Sequence, residues 1–398
     1  MERPFSILGK KKKMAILNIR RNRLPKGFYL IGRAGGDQPG PGPEPVDPST
    51  VPFYFEDITG EEGNIISIVK YNASAPTVTV ECSTDNKTWE TLGDTSTTAL
   101  NKEIPAGGKL YLRAVTDRWA SGTIYYNMMQ SNKAHNVGGN SMSLLYGEDF
   151  ADKTELTGST YQFAYLFNND TMLNNSDKLV LPATALTNYC YYRLFRGCSN
   201  LKTTPVLPAT SLGIWCYDGM FMDCSSITTA PELPVINLTT QCYGNMFYGC
   251  TSLTEAPVLP ATILQPQCYD NMFYGCTSLT EAPELPATTL ASNCYHYMFY
   301  GCTSLTEAPE LPATTLVNRC YNGMFSDCTS LKYIKVAATS WDISNTYVSL
   351  FWVSNVAASG TFVKPSALKE NTSTTVKAGY IRKNNADGIP SGWTVENV

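Results

Sequence analysis

Apolar positions return every 26 residues through the second half of the chain. Leu186, Leu212, Leu238, Leu264, Leu290 and Leu316 form one column. Phe195, Phe221, Phe247, Phe273, Phe299 and Phe325 form another, and Leu201, Ile227, Leu253, Leu279, Leu305 and Leu331 a third. Two cysteine columns keep the same step: Cys190, Cys216, Cys242, Cys268, Cys294 and Cys320, then Cys198, Cys224, Cys250, Cys276, Cys302 and Cys328. A fixed period of this size means a solenoid, in which each coil buries its apolar face on its neighbours. Six coils are predicted over 181–336.

Residues 253–278 serve as the reference coil. Leu253 to Pro260 reads as extended, and Pro257 and Pro260 limit it to broken or edge-like pairing. Ala261-Thr262-Ile263-Leu264 predicts the start of a helix, with Thr262 as N-cap. Leu264, Cys268 and Met272 lie four apart, an apolar stripe at helical spacing that Phe273 widens. Gly275 falls where a left-handed C-cap is wanted. Its equivalents are Gly197, Asp223, Gly249, Gly301 and Asp327, all tolerant of that conformation. Tyr191, Tyr217, Tyr243, Tyr269, Tyr295 and Tyr321 never vary, which assigns them to packing between coils.

The flanks differ. Residues 1–33 form a basic arm, and 34–50 a Pro/Gly linker. Residues 51–135 show short alternating runs (Phe53-Tyr54-Phe55, Asn64–Tyr71, Thr77–Ser83, Lys109–Val115, Gly122–Asn127) and predict a small antiparallel β-sandwich. Cys82, Trp89 and Trp119 are read as its core or rim. Asn132–Asn140, with Gly138-Gly139, is read as a second linker. Residues 141–180 predict an N-terminal capping unit, a worn copy of the repeat. Leu166-Phe167, Leu173 and Leu179-Val180-Leu181-Pro182 keep the repeat's order, with Gln162 and Asp170 at the cysteine positions. Residues 337–398 predict a C-terminal cap, in which Leu350-Phe351 echoes the apolar pair and Gly388 to Val395 closes the last coil. The expected fold class is α/β, a repeat solenoid preceded by a small all-β sandwich domain.

Composition narrows the picture. No run approaches the roughly 20 apolar residues that span a bilayer. The formal charge of −4 hides an asymmetry: residues 1–33 hold ten basic side chains and one Glu, the other 365 residues twenty basic and 33 acidic. The arm, with Lys10, Lys11, Lys12, Lys13, Arg20, Arg21 and Arg23, is either a solvated tail, with Met14 an alternative start, or a peg that docks into a larger assembly. No neighbouring basic fold supports nucleic-acid binding, and no secretory signal is recognisable. Eight residues of helix separate the cysteines within a coil by about 12 Å, too far for a disulfide. Between coils, extended segments about 4.8 Å apart would permit disulfides along the second column, while helices about 8–10 Å apart argue against them along the first; the simpler reading is that the thiols are small buried fillers. No Cys-x-x-Cys occurs, and the only histidines are His135 and His296, the second at a variable position and read as exposed. No metal site is expected.

Candidate binding residues lie where coils vary. Glu255, Glu281 and Glu307 form one acidic column, and Glu232, Glu284 and Glu310 a second, interrupted by Val258. Stacked like charges suit a solvated face, a cation such as calcium, or a basic partner. Tyr248, Tyr274 and Tyr300 form a row whose equivalents are Arg196, Met222 and Ser326. Exposed, it could stack on sugar faces or anchor a protein. The Glu columns give rows rather than the poised carboxylate pair of a glycosidase. No Ser/His/Asp, Cys/His or phosphate-loop arrangement is present, so the chain reads as a non-enzyme.

The string Met272-Phe273-Tyr274-Gly275-Cys276-Thr277-Ser278-Leu279-Thr280 resembles the leucine-rich repeats of BspA-like proteins, with Met-Phe for the family's Ala-Phe and Leu285-Pro286 for its Ile-Pro. The period of 26 exceeds the family's usual unit, and the strand carries an extra proline. The layout also resembles proteins of gut Bacteroidales and their phages. That likeness implies a leucine-rich-repeat solenoid serving as an adhesin or as a phage receptor-binding or tail-associated protein. It would sit on a virion or bacterial cell surface, bind a surface glycan or protein receptor, and could self-associate. The alternatives are a structural spacer of a virion and a glycan-processing enzyme.

Overall fold

The computed structural model describes residues 47–398 apart from 97–98, 157–159, 342–347, 373–376 and 378. The chain divides into Met1–Pro45 and Val46–Val398, and the structure described is that of the second unit. The seven basic docking candidates lie outside the described residues.

Ten strands open the described chain: β1 (Tyr54–Asp57), β2 (Asn64–Lys70), β3 (Thr79–Ser83), β4 (Glu90–Asp94), β5 (Leu100–Ile104), β6 (Lys109–Ala114), β7 (Ala120–Gly122), β8 (Tyr125–Ser131), β9 (His135–Asn140) and β10 (Leu173–Val180). They form two sheets, one of order β10-β9-β1-β6-β3-β4 and one of order β5-β2-β8-β7. Alternation selects the inward side chains: Leu110, Leu112 and Ala114 on β6, and Ile66 and Ile68 on β2. They pack with Phe53, Phe55, Val80, Cys82 and Met129 in one core.

The predicted linker at 132–140 is corrected. It contains β9, which pairs antiparallel with β1 and parallel with β10 of the predicted capping unit. Its two glycines serve close approach rather than flexibility: a Cβ at Gly138 would strike the Tyr54 ring, and one at Gly139 the Pro52 carbonyl. The first sheet therefore runs directly into the repeats. Buried His135 on β9 reinforces the join, its Nε2 lying 3.2 Å from Oδ2 of Asp170. Trp119 adds a bond from its Nε1 to the Leu144 carbonyl, 2.9 Å.

The predicted repeat helices do not form. Among the described residues the only α-helix is the four-residue α1 (Ser143–Tyr146), so the α/β class gives way to a sheet-rich fold with few helices. Residues 265–276 are instead a chain of tight turns. The N–H groups of Cys268, Asp270, Met272, Tyr274 and Cys276 donate to carbonyls three residues back. Those of Gln267, Tyr269, Asn271, Phe273 and Gly275 donate to Ser292, Cys294, His296, Met298 and Tyr300 in the next coil. Left-handed φ recurs at every fourth residue, Gln267 (58°), Asn271 (53°) and Gly275 (71°). A helix would spend all these donors internally. Here half of them tie coil to coil. The predicted left-handed residues at Gly275 and its five equivalents all have positive φ, but as turn positions rather than helix caps.

Parallel bridges hold the 26-residue register on the other side of the coil, as in Ala185 to Ser211, Thr229 to Glu255 and Ile263 to Thr289. Side chains stack accordingly. The Phe195-to-Phe325 column has centroids 5.5–5.8 Å apart. The fully buried Tyr191-to-Tyr321 column has spacings of 5.8–6.2 Å. All thirteen cysteines are free and buried. Each thiol of the second column donates to a Phe carbonyl one coil back, for example Cys276 to Phe247 at 3.1 Å.

Both ends are closed by aromatic residues. Phe163 and Phe167 stack on Tyr191 and Phe195 at 6.0 and 5.3 Å. At the other end Trp352, not the predicted Phe351, continues the core, its ring 6.1 Å from Tyr321 and 6.0 Å from Phe325. Phe351 has positive φ and is 55% exposed, because the spacing from Phe325 to the capping ring is one residue longer than a coil. The strands β11 (Tyr333–Lys335), β12 (Thr361–Lys364), β13 (Glu370–Asn371), β14 (Ile381–Arg382) and β15 (Thr394–Asn397) complete this end. β12 pairs with β11 and β15, and the Trp352 Nε1 bonds the Gly388 carbonyl at 2.8 Å.

Candidate recognition surface

The acidic columns lie on the bridged side of the coils, and all six Glu side chains are exposed. Glu255 and Glu281 border a shallow groove with Thr254, Thr280 and Pro283. Glu284 and Glu310 border a second one, walled by Pro283, Pro286, Pro309 and Pro312. Glu310 pairs with Lys335 at 2.9 Å. Glu307 is bridged to Tyr333, and Glu232 continues the second row. Among the described residues no three His, Cys, Asp or Glu side chains gather where they could hold a metal ion.

The tyrosine row is not the open platform expected. Tyr248, Tyr274 and Tyr300 are half-buried and stack on one another at 4.4 and 4.5 Å, nearly parallel. Both faces of Tyr274 are thus covered, and a sugar cannot lie on them. A hydrogen bond to the Asp327 carboxylate, helped by burial, pushes the Tyr300 hydroxyl up to about 12. Tyr274 presents only its edge and hydroxyl.

A different surface carries the coil-to-coil diversity. The turn chain has three positions that vary from coil to coil beside the constant cysteine and tyrosine columns. The first reads Tyr189, Trp215, Gln241, Gln267, Asn293, Arg319. The second reads Tyr192, Asp218, Gly244, Asp270, His296, Asn322, and the third Arg193, Gly219, Asn245, Asn271, Tyr297, Gly323. The first and third are left-handed throughout, and this backbone turns their side chains away from the core columns. The signal was present in the sequence. A helical reading of the segment hides it, because the four-residue turn period matches helical spacing.

Aromatic side chains dominate the N-terminal end of this turn face. Tyr161 stacks on Tyr189 at 4.4 Å, and Tyr189 on Trp215 at 5.8 Å. Tyr192 lies against both Tyr189 and Trp215 and under the Arg193 guanidinium, 4.9 Å away. Tyr71 of the first region extends the band through Tyr126 and Tyr165 at 4.6 and 4.3 Å.

Polar side chains follow. Asp218 is fully buried; its Oδ2 accepts from Gln241 Nε2 at 3.0 Å and Asn245 Nδ2 at 2.9 Å. Burial pushes its carboxyl up to about 6, against the pull of those amides and of Arg193, whose Nε is 3.9 Å from Oδ1. Two coils on, Asp270 accepts from Asn271 Nδ2 and lies 2.9 Å from His296 Nδ1. His296, expected exposed, is therefore half-buried and partnered; its ring also meets Tyr297 at 4.3 Å.

The family model for the BspA type leucine rich repeat region matches residues 164–287 and 216–357, with six copies. The repeats are BspA-like. No curated protein and no solved structure matches the chain significantly. BspA-type repeats are typically non-enzymatic interaction modules, and proteins built from them are typically surface-associated. Among the described residues no helix is long and apolar enough to cross a membrane.

Proposed function

We propose that this BspA-like chain is a non-enzymatic recognition protein, an adhesin or a phage receptor-binding or tail-associated protein. Its repeat stack binds a glycan or protein on a bacterial or host surface. The observation that carries the reading is the contrast within each coil. The core columns repeat almost unchanged, whereas three positions on the turns change from coil to coil. A spacer needs only the constant part. Variable side chains on a constant frame are what recognition requires, because specificity lives in side chains presented by a rigid scaffold.

In the same proposal the arm carrying Lys10–Lys13, Arg20, Arg21 and Arg23 docks into a larger assembly, a virion or cell-surface structure. The Glu rows offer a secondary contact for a basic partner or a calcium ion. The test uses labelled full-length protein and a panel of gut Bacteroidales cells. Saturable binding is expected to at least one strain. It should be lost when the variable turn residues Trp215, Asp270 and His296 are replaced together by those of neighbouring coils, and retained when Glu255, Glu281 and Glu307 become Gln. Absence of binding to every strain would sink the proposal and favour the spacer reading.

A further inference from the structure

The aromatic end of the turn face stops abruptly. Trp215 is the last ring in its column, and the next residue, Gln241, is buried and drawn to Asp218. Among the described residues the only ring contacts of Trp215 are with Tyr189 and Tyr192. Tyr189 stacks on one face of the half-buried indole. The coil beyond carries Gln241 in place of a ring, so the half-buried indole ends the stack as a ledge.

The ledge is bordered by groups with unmet hydrogen-bonding capacity. Asp218 Oδ1, Gln241 Oε1 and Arg193 Nε are buried and have no hydrogen-bond partner. Each leaves a desolvated polar atom that is costly unless something supplies the missing bond. Gly244 lets the next coil close on this pair, since a Cβ there would lie only 2.6 Å from Asp218 Oδ2. A flat apolar surface thus sits beside two acceptors and a donor, with the Arg193 and Asp218 charges offsetting each other.

We propose that this ledge is a carbohydrate site, with Trp215 the platform and Arg193, Asp218 and Gln241 the hydroxyl contacts, and that it takes an uncharged hexose chain. The chemistry selects the class. An apolar side chain from a protein partner would cover the unmet donors and acceptors and leave them unpaired. A pyranose offers a C–H face for the indole and, at its rim, hydroxyls that each donate and accept. A charged sugar would upset the balanced Arg193–Asp218 pair. Tyr274, stacked on both sides, offers no such face. This inference rests on the recognition reading above and adds its ligand class and location.

The test applies full-length protein to an array of bacterial-surface and mucin oligosaccharides. Tryptophan-fluorescence titration then follows with hexasaccharides of glucose, mannose and galactose. At least one neutral probe should bind. Trp215→Ala should weaken binding about tenfold or more, as expected for loss of a stacking platform, with an unchanged melting temperature. Trp215→Phe should restore most of it, and Tyr274→Ala should bind as the native chain does. Failure of every sugar probe, or native binding by Trp215→Ala, overturns the site. The cell panel separates the two levels. Cell binding that survives periodate but not protease treatment rejects the carbohydrate site and leaves recognition standing. Absence of both cell and sugar binding rejects both.

Discussion

At the scale of single residues, the polar groups held inside this protein set its response to solution conditions. Asp218 is the clearest. Its carboxyl ionises near 3.8 when unfolded and near 6 when folded, chiefly through burial. The folded state therefore holds the proton more tightly. Its stability contribution is complete below about pH 4 and is lost as pH rises through about 6. Asp218→Asn should remove that loss, flattening the denaturation midpoint between pH 4 and 7 and raising neutral-pH stability by on the order of 2 kcal/mol. A midpoint with unchanged pH dependence would contradict it. The thiols behave otherwise. Burial pushes the Cys242 thiol up to about 11 and the rest of both columns likewise above their ordinary value. An aromatic disulfide reagent at pH 8 should label none of the thirteen cysteines natively and all of them in guanidinium. Rapid native labelling of any column would show that the coils open.

At the scale of elements, the turn chain explains what could be read and what could not. Buried positions four apart (Leu264, Cys268, Met272, Cys276) fit an amphipathic helix, and the core columns were legible for that reason. The same spacing is generated by turns whose left-handed residue recurs every fourth position. Helix and turn chain differ in where the N–H groups go, which apolar periodicity does not record. The distinguishing signal was the residue type at 267, 271 and 275, Gln, Asn and Gly, with Asn and Gly favoured where φ is positive. The half-buried, stacked state of Tyr274 was equally illegible, since sequence gives its column and not the distance between coils. Asn271, at φ 53°, tests the turn assignment. Asn271→Val should cost about 1–2 kcal/mol, and Asn271→Gly much less, as the Gly residues in the same conformation at 219 and 323 suggest. In a helix interior Val would be favoured over Gly. Thermal denaturation of the two variants decides between the geometries.

At the scale of the whole molecule, one core runs from Phe53 to Trp393, so the ends matter as much as the middle. Trp352, 0% exposed against Tyr321 and Phe325, covers the last coil. Trp352→Ala should cost about 3–5 kcal/mol, and the variant should bind a hydrophobic dye at temperatures where the native chain does not. Removing residues 253–278, one whole coil, joins Ser252 to Leu279 and keeps every column in register. That deletion should still melt cooperatively, whereas removing 253–265 puts Glu281 in the first cysteine column and Pro286 in the phenylalanine column and should abolish the transition, as circular dichroism would show.

The uniform bonding between coils also bears on how this protein changes over time. The stretch Cys250 to Pro257 is spelled identically at Cys276 to Pro283 and at Cys302 to Pro309. Matching junctions let recombination add, drop or reorder units without damaging the joints. New arrangements of the outward side chains can then arise by shuffling intact modules, so a lineage can alter its target without first inventing a new scaffold.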